Sequence, residues 1–490
     1  MYADIRIKDL LSGANVINYY NCEDIKVSGV TADNRKVDKG FAFVAVSGTR
    51  FDGHDFISDV AEKGAICAIV ERVPENCPIP CIVVDDTRLA SSYIFSNAYK
   101  NPENSMKIIG VTGTNGKTSS VFMLEKIFSD AGYKTGLLGT VKNMWCGKVR
   151  ESSMTTPVPE DLYEMFSAMR NEGVEYLFME VSSHSLALGR VAPLKFEIGV
   201  YTNLTPEHLD FHSDMDSYAE VKEMLFKQSK IGLFCADNEY TLEASKKGLC
   251  KSYTFGIDND ADFKAVKVDF SSVSGINYTL KMPTETIEIK SSVAGKFSVY
   301  NTMGAVSVAY LLGLDGEKIA KSIKDFSGVP GRIERLTPED TPFSVFSDYA
   351  HSPDALENIL STLINSKRET QKLTVVFGCG GDRDRTKRPK MGKIATDLAD
   401  FAIITSDNSR SEEPMDIINE ILTGVEKDNY KVICSRKEAI AYAVENAEKD
   451  EIILIAGKGH ENYEITKDGK HPFDEKGEVF KAIEKRKSCK

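Results

Sequence analysis

IIGVTGTNGKTS, residues 108–119, is the stretch on which the architecture turns. A short apolar run, Ile108 to Thr112, reads as a buried strand, and Gly113 and Gly116 punctuate the turn after it. The next residues place Val121, Leu124 and Phe128, with Phe122 and Ile127, on one side of a helix that stops near Gly132. Strand, glycine-rich turn and helix make an anion site, because backbone N–H groups and a helix N-terminus converge where the glycines let a phosphate approach. Lys117 adds a cation for β- and γ-phosphates, and the Thr118 hydroxyl suits Mg²⁺. The spacing departs from G-x-x-x-x-G-K-[ST], since Val111 stands at the first glycine position. An ordinary glycine turn explains the two glycines but not the Lys-Thr pair opening the helix. Gly113, Thr114, Asn115, Gly116, Lys117 and Thr118 are therefore read as an ATP-binding loop.

Outward from the loop, strand-like runs recur at GLLGT (136–140), EYLFMEV (175–181) and FEIGVYTNL (196–204). Beyond a predicted linker, VPGRIERLTPEDTP (329–342), the chain alternates. LTVVFGCGG is followed by a helix after Pro389, FAIITSDN by a helix from Pro414, KVICS by a helix from Arg436, and EIILIAGKG closes the series. Strands separated by helices predict parallel βαβ units whose functional loops lie at the strands' carboxyl ends. Before the loop, FAFVAV (41–46) and AICAIV (65–70) mark another small core. The fold class is α/β in three domains: 1–103, a central phosphate-loop domain at 104–334, and a Rossmann-like domain at 335–490.

At 490 residues, 42% hydrophobic and 27% charged, the chain has the composition of a soluble globular protein. Its start, MYADIRIKDLL, has no signal-peptide pattern and no apolar run reaches spanning length, so a cytoplasmic protein without membrane insertion is expected. The net charge of −12 argues against broad nucleic-acid binding. Ten scattered cysteines, with Cys77 and Cys81 nearest, predict neither disulfides nor zinc. A monomer is expected.

Glu180 lies at the end of its strand run, and a carboxylate beside a phosphate loop is a natural Mg²⁺ ligand. Taken singly, His208 and Lys222 read more readily as a satisfied histidine and a solvated lysine. Taken in order, GTNGKT, EVSSH (180–184), NLTPEHLDFH (203–212) and the lysine of YAEVK (218–222) resemble the Mur ligase family, which also includes folylpolyglutamate synthases. Glu207 stands where that family usually has aspartate. The resemblance runs nearly end to end, through GR (331–332), DYAHSP (348–353), GCGGDRD (378–384), DNSR (407–410) and GKGHE (457–461), the last three being similar to the branch that adds the third amino acid of the peptidoglycan precursor.

The resemblance implies roles. Lys117, Lys222, His208 and His351 are catalytic. Thr118, Glu180, His208 and Lys222 hold Mg²⁺, Lys222 as its carbamate, N6-carboxylysine. Asn301, Arg332 and Asp348 join the loop around ATP. Asn34, where serine is usual, binds the UDP-linked substrate with Thr49, Arg50, Phe51, Thr155, Thr156, Ser182 and Arg190. Arg383, Asp407, Asn408, Ser409, Arg410, Gly457 and Glu461 bind the incoming amino acid. Diaminopimelate carries one more carboxylate than lysine, and a guanidinium such as Arg410 suits it; lysine stays open as the alternative, since serine replaces the proline usual before that arginine. The implied partners are the UDP-N-acetylmuramoyl dipeptide, ATP and a diamino acid. A folylpolyglutamate synthase fits less well, because about a hundred residues with Asp33-x-Arg35 and Gly48-x-x-x-Asp52-Gly53 precede the loop. A binding protein without activity would be expected to lose Lys117, Glu180, His208 or Lys222, and all four are present.

Overall fold

The structure, a computed structural model, describes residues 5–20, 25–48, 51–207, 211–272, 275–338 and 341–488. His208, Thr49 and Arg50, three of the expected site residues, lie outside them. The chain divides into two compact units, Met1–Lys264 with Lys281–Glu285 and Tyr300–Ile319, and Ala265–Leu280 with Thr286–Val299 and Ala320–Lys490.

The first unit is built on two main sheets, beside the short antiparallel pair Ile5–Arg6 with Lys26–Val27. The smaller is ordered Val16–Tyr20, Cys81–Val84, Cys67–Val70, Phe41–Val44 and Gly29–Thr31, parallel except for its antiparallel first strand. Cys67, Ala68, Ile69 and Val70 are all buried, as a strand covered on both faces requires. In the larger sheet, Lys107–Thr112 lies between Tyr176–Glu180 and Phe196–Tyr201, all parallel. The loops after Thr112, Glu180 and Tyr201 consequently leave one edge together. The helix Lys117–Asp130 buries Val121, Phe122, Leu124, Ile127 and Phe128 as its periodicity predicts, and Met123 as well.

The second unit is built on a sheet ordered Glu334–Arg335, Ser344–Asp348, Ile452–Ala456, Leu373–Phe377, Phe401–Ile404 and Tyr430–Val432, parallel after the first strand. Ile452–Ala456, the last of this sheet's strands in chain order, is inserted between Ser344–Asp348 and Leu373–Phe377, so loops 348–351, 378–384, 405–410 and 457–461 share one edge. Two expectations need correction. The helix read as starting after Pro389 spans Lys387–Leu398; proline is tolerated in a first turn, where its missing N–H has no intrahelical partner. The stretch read as a linker carries a strand, with Glu334 opposite Ser347 and Arg335 opposite Phe346. Among the described residues, no helix is long and apolar enough to cross a membrane.

Candidate functional site

The turn after Thr112 needs its glycines. Gly113 has φ +141° and a Cβ there would stand 2.0 Å from Thr202 Oγ1; Gly116 has φ +87° and a Cβ would stand 2.3 Å from Asn301 Oδ1. Gly116 opens the helix and, as a glycine, supplies no side-chain cap of its own. The loop's shape is held from across the sheet, where Asn115 N–H donates to Asn203 Oδ1 (2.9 Å) and Thr202 Oγ1 donates to the Asn115 carbonyl (2.6 Å).

Lys117, Thr118, Glu180 and Lys222 are brought together at this edge. Lys117 Nζ donates to the carbonyls of Gly113 (2.8 Å) and Thr114 (2.7 Å). Lys222, buried on the helix Met215–Lys227, donates to the same Gly113 carbonyl at 3.0 Å and lies 4.7 Å from the centre of the Tyr218 ring. Burial first, and the Lys117 charge second, hold the Lys222 amine well below the usual lysine range, while Glu207 opposes them. Glu180, 1% exposed, accepts from Thr118 Oγ1 (3.1 Å), Thr140 Oγ1 (3.1 Å) and Thr140 N–H (2.8 Å). One carboxylate with hydroxyls around it fits Mg²⁺ completed by phosphate oxygens. Among the described residues no group of three His, Cys, Asp or Glu forms a metal cluster by itself.

A chain of contacts leads away from Glu180. Thr155 Oγ1 is 3.0 Å from Thr140 Oγ1, and Thr156 Oγ1 donates to the Glu180 carbonyl (2.8 Å) and accepts from Ser182 N–H (3.1 Å). Ser182 caps the helix Ser183–Ala187. Arg190 Nη1 donates to the Thr156 carbonyl (2.9 Å) and lines a cavity of about 730 Å³ shared with Asn34, Phe51, Arg88 and Glu160. Glu160 closes one side of it, accepting from Thr31 Oγ1, Ala32 N–H and Lys36 Nζ, each at 3.1 Å. Asn34 Nδ2 reaches Asp59 Oδ2 at 3.4 Å, while Phe51 is 75% exposed.

The second unit holds the remaining candidates. Asp348, buried, accepts from Ile333 N–H (2.8 Å) and Ala350 N–H (2.9 Å), and burial raises its pKa. His351 Nδ1 donates to the Tyr349 carbonyl (2.8 Å), since a carbonyl only accepts; this fixes the tautomer when the ring is neutral. The Arg332 guanidinium lies 4.8 Å from the Tyr349 ring centre. At the neighbouring strand ends, Arg410 has φ +52°, a left-handed backbone that costs an arginine roughly 1–2 kcal/mol. Its Nη1 donates to the carbonyls of Gly381 (2.7 Å) and Asn408 (3.3 Å), tying two loops together. Asn408 Nδ2 donates to Glu461 Oε2 (2.8 Å), and burial raises the Glu461 pKa. Asp407 and Ser409 are buried, Gly457 packs against Asp407, and Arg383 is exposed.

Reading the sequence missed several residues at these places. Thr140 and Tyr218 adjoin Glu180 and Lys222, and Glu160 lines the cavity. Lys458, Arg436 and Arg388 are fully or nearly fully buried cations around the second unit's loops. Lys458 stands inside the GKGHE motif, which was a signal; Arg388 sits in a cationic run, DRTKRPK (384–390), that carried none.

The comparisons extend over all of these places. Sequence profiles match for the Mur ligase family catalytic domain (residues 26–114), the Mur ligase middle domain (111–309) and the Mur ligase glutamate ligase domain (331–459). A protein of Clostridium perfringens named UDP-N-acetylmuramoyl-L-alanyl-D-glutamate–2,6-diaminopimelate ligase is 44% identical over 98% of this chain and 99% of its own. One of that name from Clostridium acetobutylicum, numbered 1, is 42% identical over 94% and 95%. A solved structure of a ligase with this name superposes with a TM-score of 0.70 at 29% identity, covering 99% of this chain and 100% of its own. With that extent of likeness, from the first sheet to the last loop, the chain belongs to the Mur ligase family.

Proposed function

We propose that the protein is an ATP-dependent ligase that joins meso-diaminopimelate to the D-glutamate of UDP-N-acetylmuramoyl-L-alanyl-D-glutamate. The observation that carries this is the convergence of Lys117, Thr118, Glu180 and Lys222 on one sheet edge, in a chain that matches ligases of that name from end to end. It acts in the cytoplasm as a monomer, in peptidoglycan synthesis.

The D-glutamate carboxylate attacks the γ-phosphorus of ATP, ADP leaves, and an acyl phosphate remains. The amine of diaminopimelate then attacks the acyl carbon and phosphate departs. Lys117 counters charge growing on the phosphates, and Arg332, Asn301 and Asp348 serve the nucleotide. Mg²⁺, held by Thr118, Glu180 and His208, would neutralise phosphate charge. Burial favours the neutral amine of Lys222, whose lone pair adds to CO₂; loss of one proton gives the carbamate, an anion suited to a second cation. His351, with Nδ1–H spent on Tyr349, keeps Nε2 as the ring's basic atom for the proton of the attacking amine. The cavity beside Arg190 takes the UDP end, and Thr155, Thr156 and Ser182 lead the peptide to Glu180. Glu461 and Gly457 hold the distal ammonium, Arg383 one carboxylate and Arg410 the other.

Phosphate release with the UDP-linked dipeptide and a panel of amino acids tests the reading. Diaminopimelate should exceed L-lysine by roughly 10²-fold or more in kcat/KM, and Arg410→Ala should erase most of that preference. Equal or better use of L-lysine by the unmodified protein overturns the choice of amino acid.

A further inference from the structure

We infer that Lys458 is the positioning residue that makes the second unit read a carboxylate, by holding the Asn408 amide one way round; this rests on the diaminopimelate reading above. Lys458 follows directly on the strand Ile452–Ala456 and Gly457, and it is 0% exposed. Its ammonium donates to Asn408 Oδ1 (3.0 Å) and to the Tyr463 carbonyl (2.9 Å). The Ile465 N–H also donates to Asn408 Oδ1, at 2.9 Å. An ammonium and a peptide N–H are both donors only, so the amide atom between them must be the oxygen. Nδ2 is thereby turned the other way, toward Glu461 Oε2 at 2.8 Å.

Asn408 is buried, and reversing its amide would set an NH₂ group against two donors. The buried ammonium is itself balanced. Asp407 Oδ1 lies 3.6 Å from Lys458 Nζ, and Asp407 Oδ2 lies 4.0 Å from Arg436 Nη1. The same short segment anchors the neighbouring reader, because the Arg410 N–H donates to the Ile465 carbonyl (3.0 Å). Lys458 thus fixes Asn408 directly and, through the Tyr463–Ile465 segment, the backbone of Arg410. Two donor groups, an amide N–H and a guanidinium, are held on one loop edge. That edge attracts a carboxylate. Without Lys458 the Ile465 N–H is left to hold Oδ1 alone, so the amide turns its carbonyl outward more readily, and a carbonyl repels a carboxylate. Lysine, lacking the second carboxylate, should be nearly indifferent to the change.

The test compares steady-state kinetics for diaminopimelate, L-lysine, ATP and the UDP-linked dipeptide. Lys458→Met should raise KM for diaminopimelate and cut its preference over lysine by about tenfold or more each, with the other two KM values within about twofold of wild type. Lys458→Gln retains N–H donors for Asn408 and Tyr463, and should recover most of the preference. A merely structural lysine would instead alter every KM together and make Gln no better than Met, which overturns the proposal. Asn408→Asp keeps a partner for Lys458 but has no N–H to present, and should lose the preference as Lys458→Met does. This variant decides the matter if Lys458→Met does not fold. Retention of the wild-type preference in Asn408→Asp or Lys458→Met overturns the proposal alone. A wild-type protein that ignores diaminopimelate overturns the functional reading and the proposal with it.

Discussion

Two lysines donate to one carbonyl, that of Gly113, yet their surroundings give them different chemistry. Lys117 is half-buried at a helix N-terminus and holds the Thr114 carbonyl as well, so its ammonium stays beside the phosphate site. Lys222 is enclosed, and burial together with the Lys117 charge favours its neutral form. Lys117→Ala should therefore leave a folded protein and lower turnover by at least roughly 10²-fold, the usual cost of removing a group that meets developing charge. Near-normal turnover would remove the loop from the mechanism. Lys222→Ala should be nearly inactive, and acetate should restore part of the activity by filling the anionic position. A high-resolution map with unmodified Lys222 in an enzyme indifferent to CO₂ would sink the carbamate. A surface lysine at that position would have predicted no effect at all, and its 1% exposure already argues against one.

At the scale of elements, the loop 378–384 depends on a pair that the sequence conceals. Arg388, 0% exposed on the helix Lys387–Leu398, forms two bonds to Glu412, at 2.8 and 2.9 Å, and a third to Glu420 at 2.7 Å. Glu412 in turn accepts from Asp382 N–H at 2.6 Å, so the pair pins the turn that carries Arg383. The bonds from Arg388 hold the Glu412 pKa down to about 2 from an ordinary 4.5. A depressed carboxylate stabilises the fold above its unfolded pKa, and that contribution drains away as pH falls toward the folded value. Glu412→Gln should then cost roughly 1.5–3 kcal/mol at pH 7, the range for a charge-assisted bond. The difference in Tm between variant and wild type should narrow below pH 4.5; an unchanged difference at pH 3 would contradict it. Parallel strands such as Tyr176–Glu180 and Leu373–Phe377 were legible because burial on both faces writes them as apolar runs. The strands Phe263–Ser272, Gly275–Lys281 and Thr286–Ser291 were not, since they intersperse lysines and glutamates with apolar residues and lack that signature. The hairpin Tyr463–Thr466 with Gly469–Pro472, half-buried or exposed throughout, was missed for the same reason. Arg388 and Lys458 escaped because the side chains they hold, Glu412 and Glu420 for one and Asn408 for the other, stand 24, 32 and 50 residues away in sequence.

The whole molecule consists of two compact units, and each carries apolar clusters of its own, residues 5–250 in one and 333–483 in the other. Each of these clusters lies within one unit, and the expected outcome is separate unfolding, because a cooperative transition needs shared packing. The single tryptophan, Trp145, is buried in the first unit between the strands Thr135–Leu138 and Lys148–Glu151, so its fluorescence reports that unit alone. Far-UV circular dichroism reports both. The proposed UDP cavity and phosphate loop lie in the first unit, and the proposed amino-acid loops lie in the second. A ligand that binds only the folded form at about 100 times its Kd stabilises by about 2.7 kcal/mol. The UDP-linked dipeptide at that level should therefore raise the Trp145 midpoint by several degrees. Diaminopimelate alone should move the dichroism transition and leave the fluorescence midpoint almost unmoved. If diaminopimelate alone shifts Trp145 as far as the UDP-linked dipeptide does, the two units unfold as one, and the division of binding between them fails with that result.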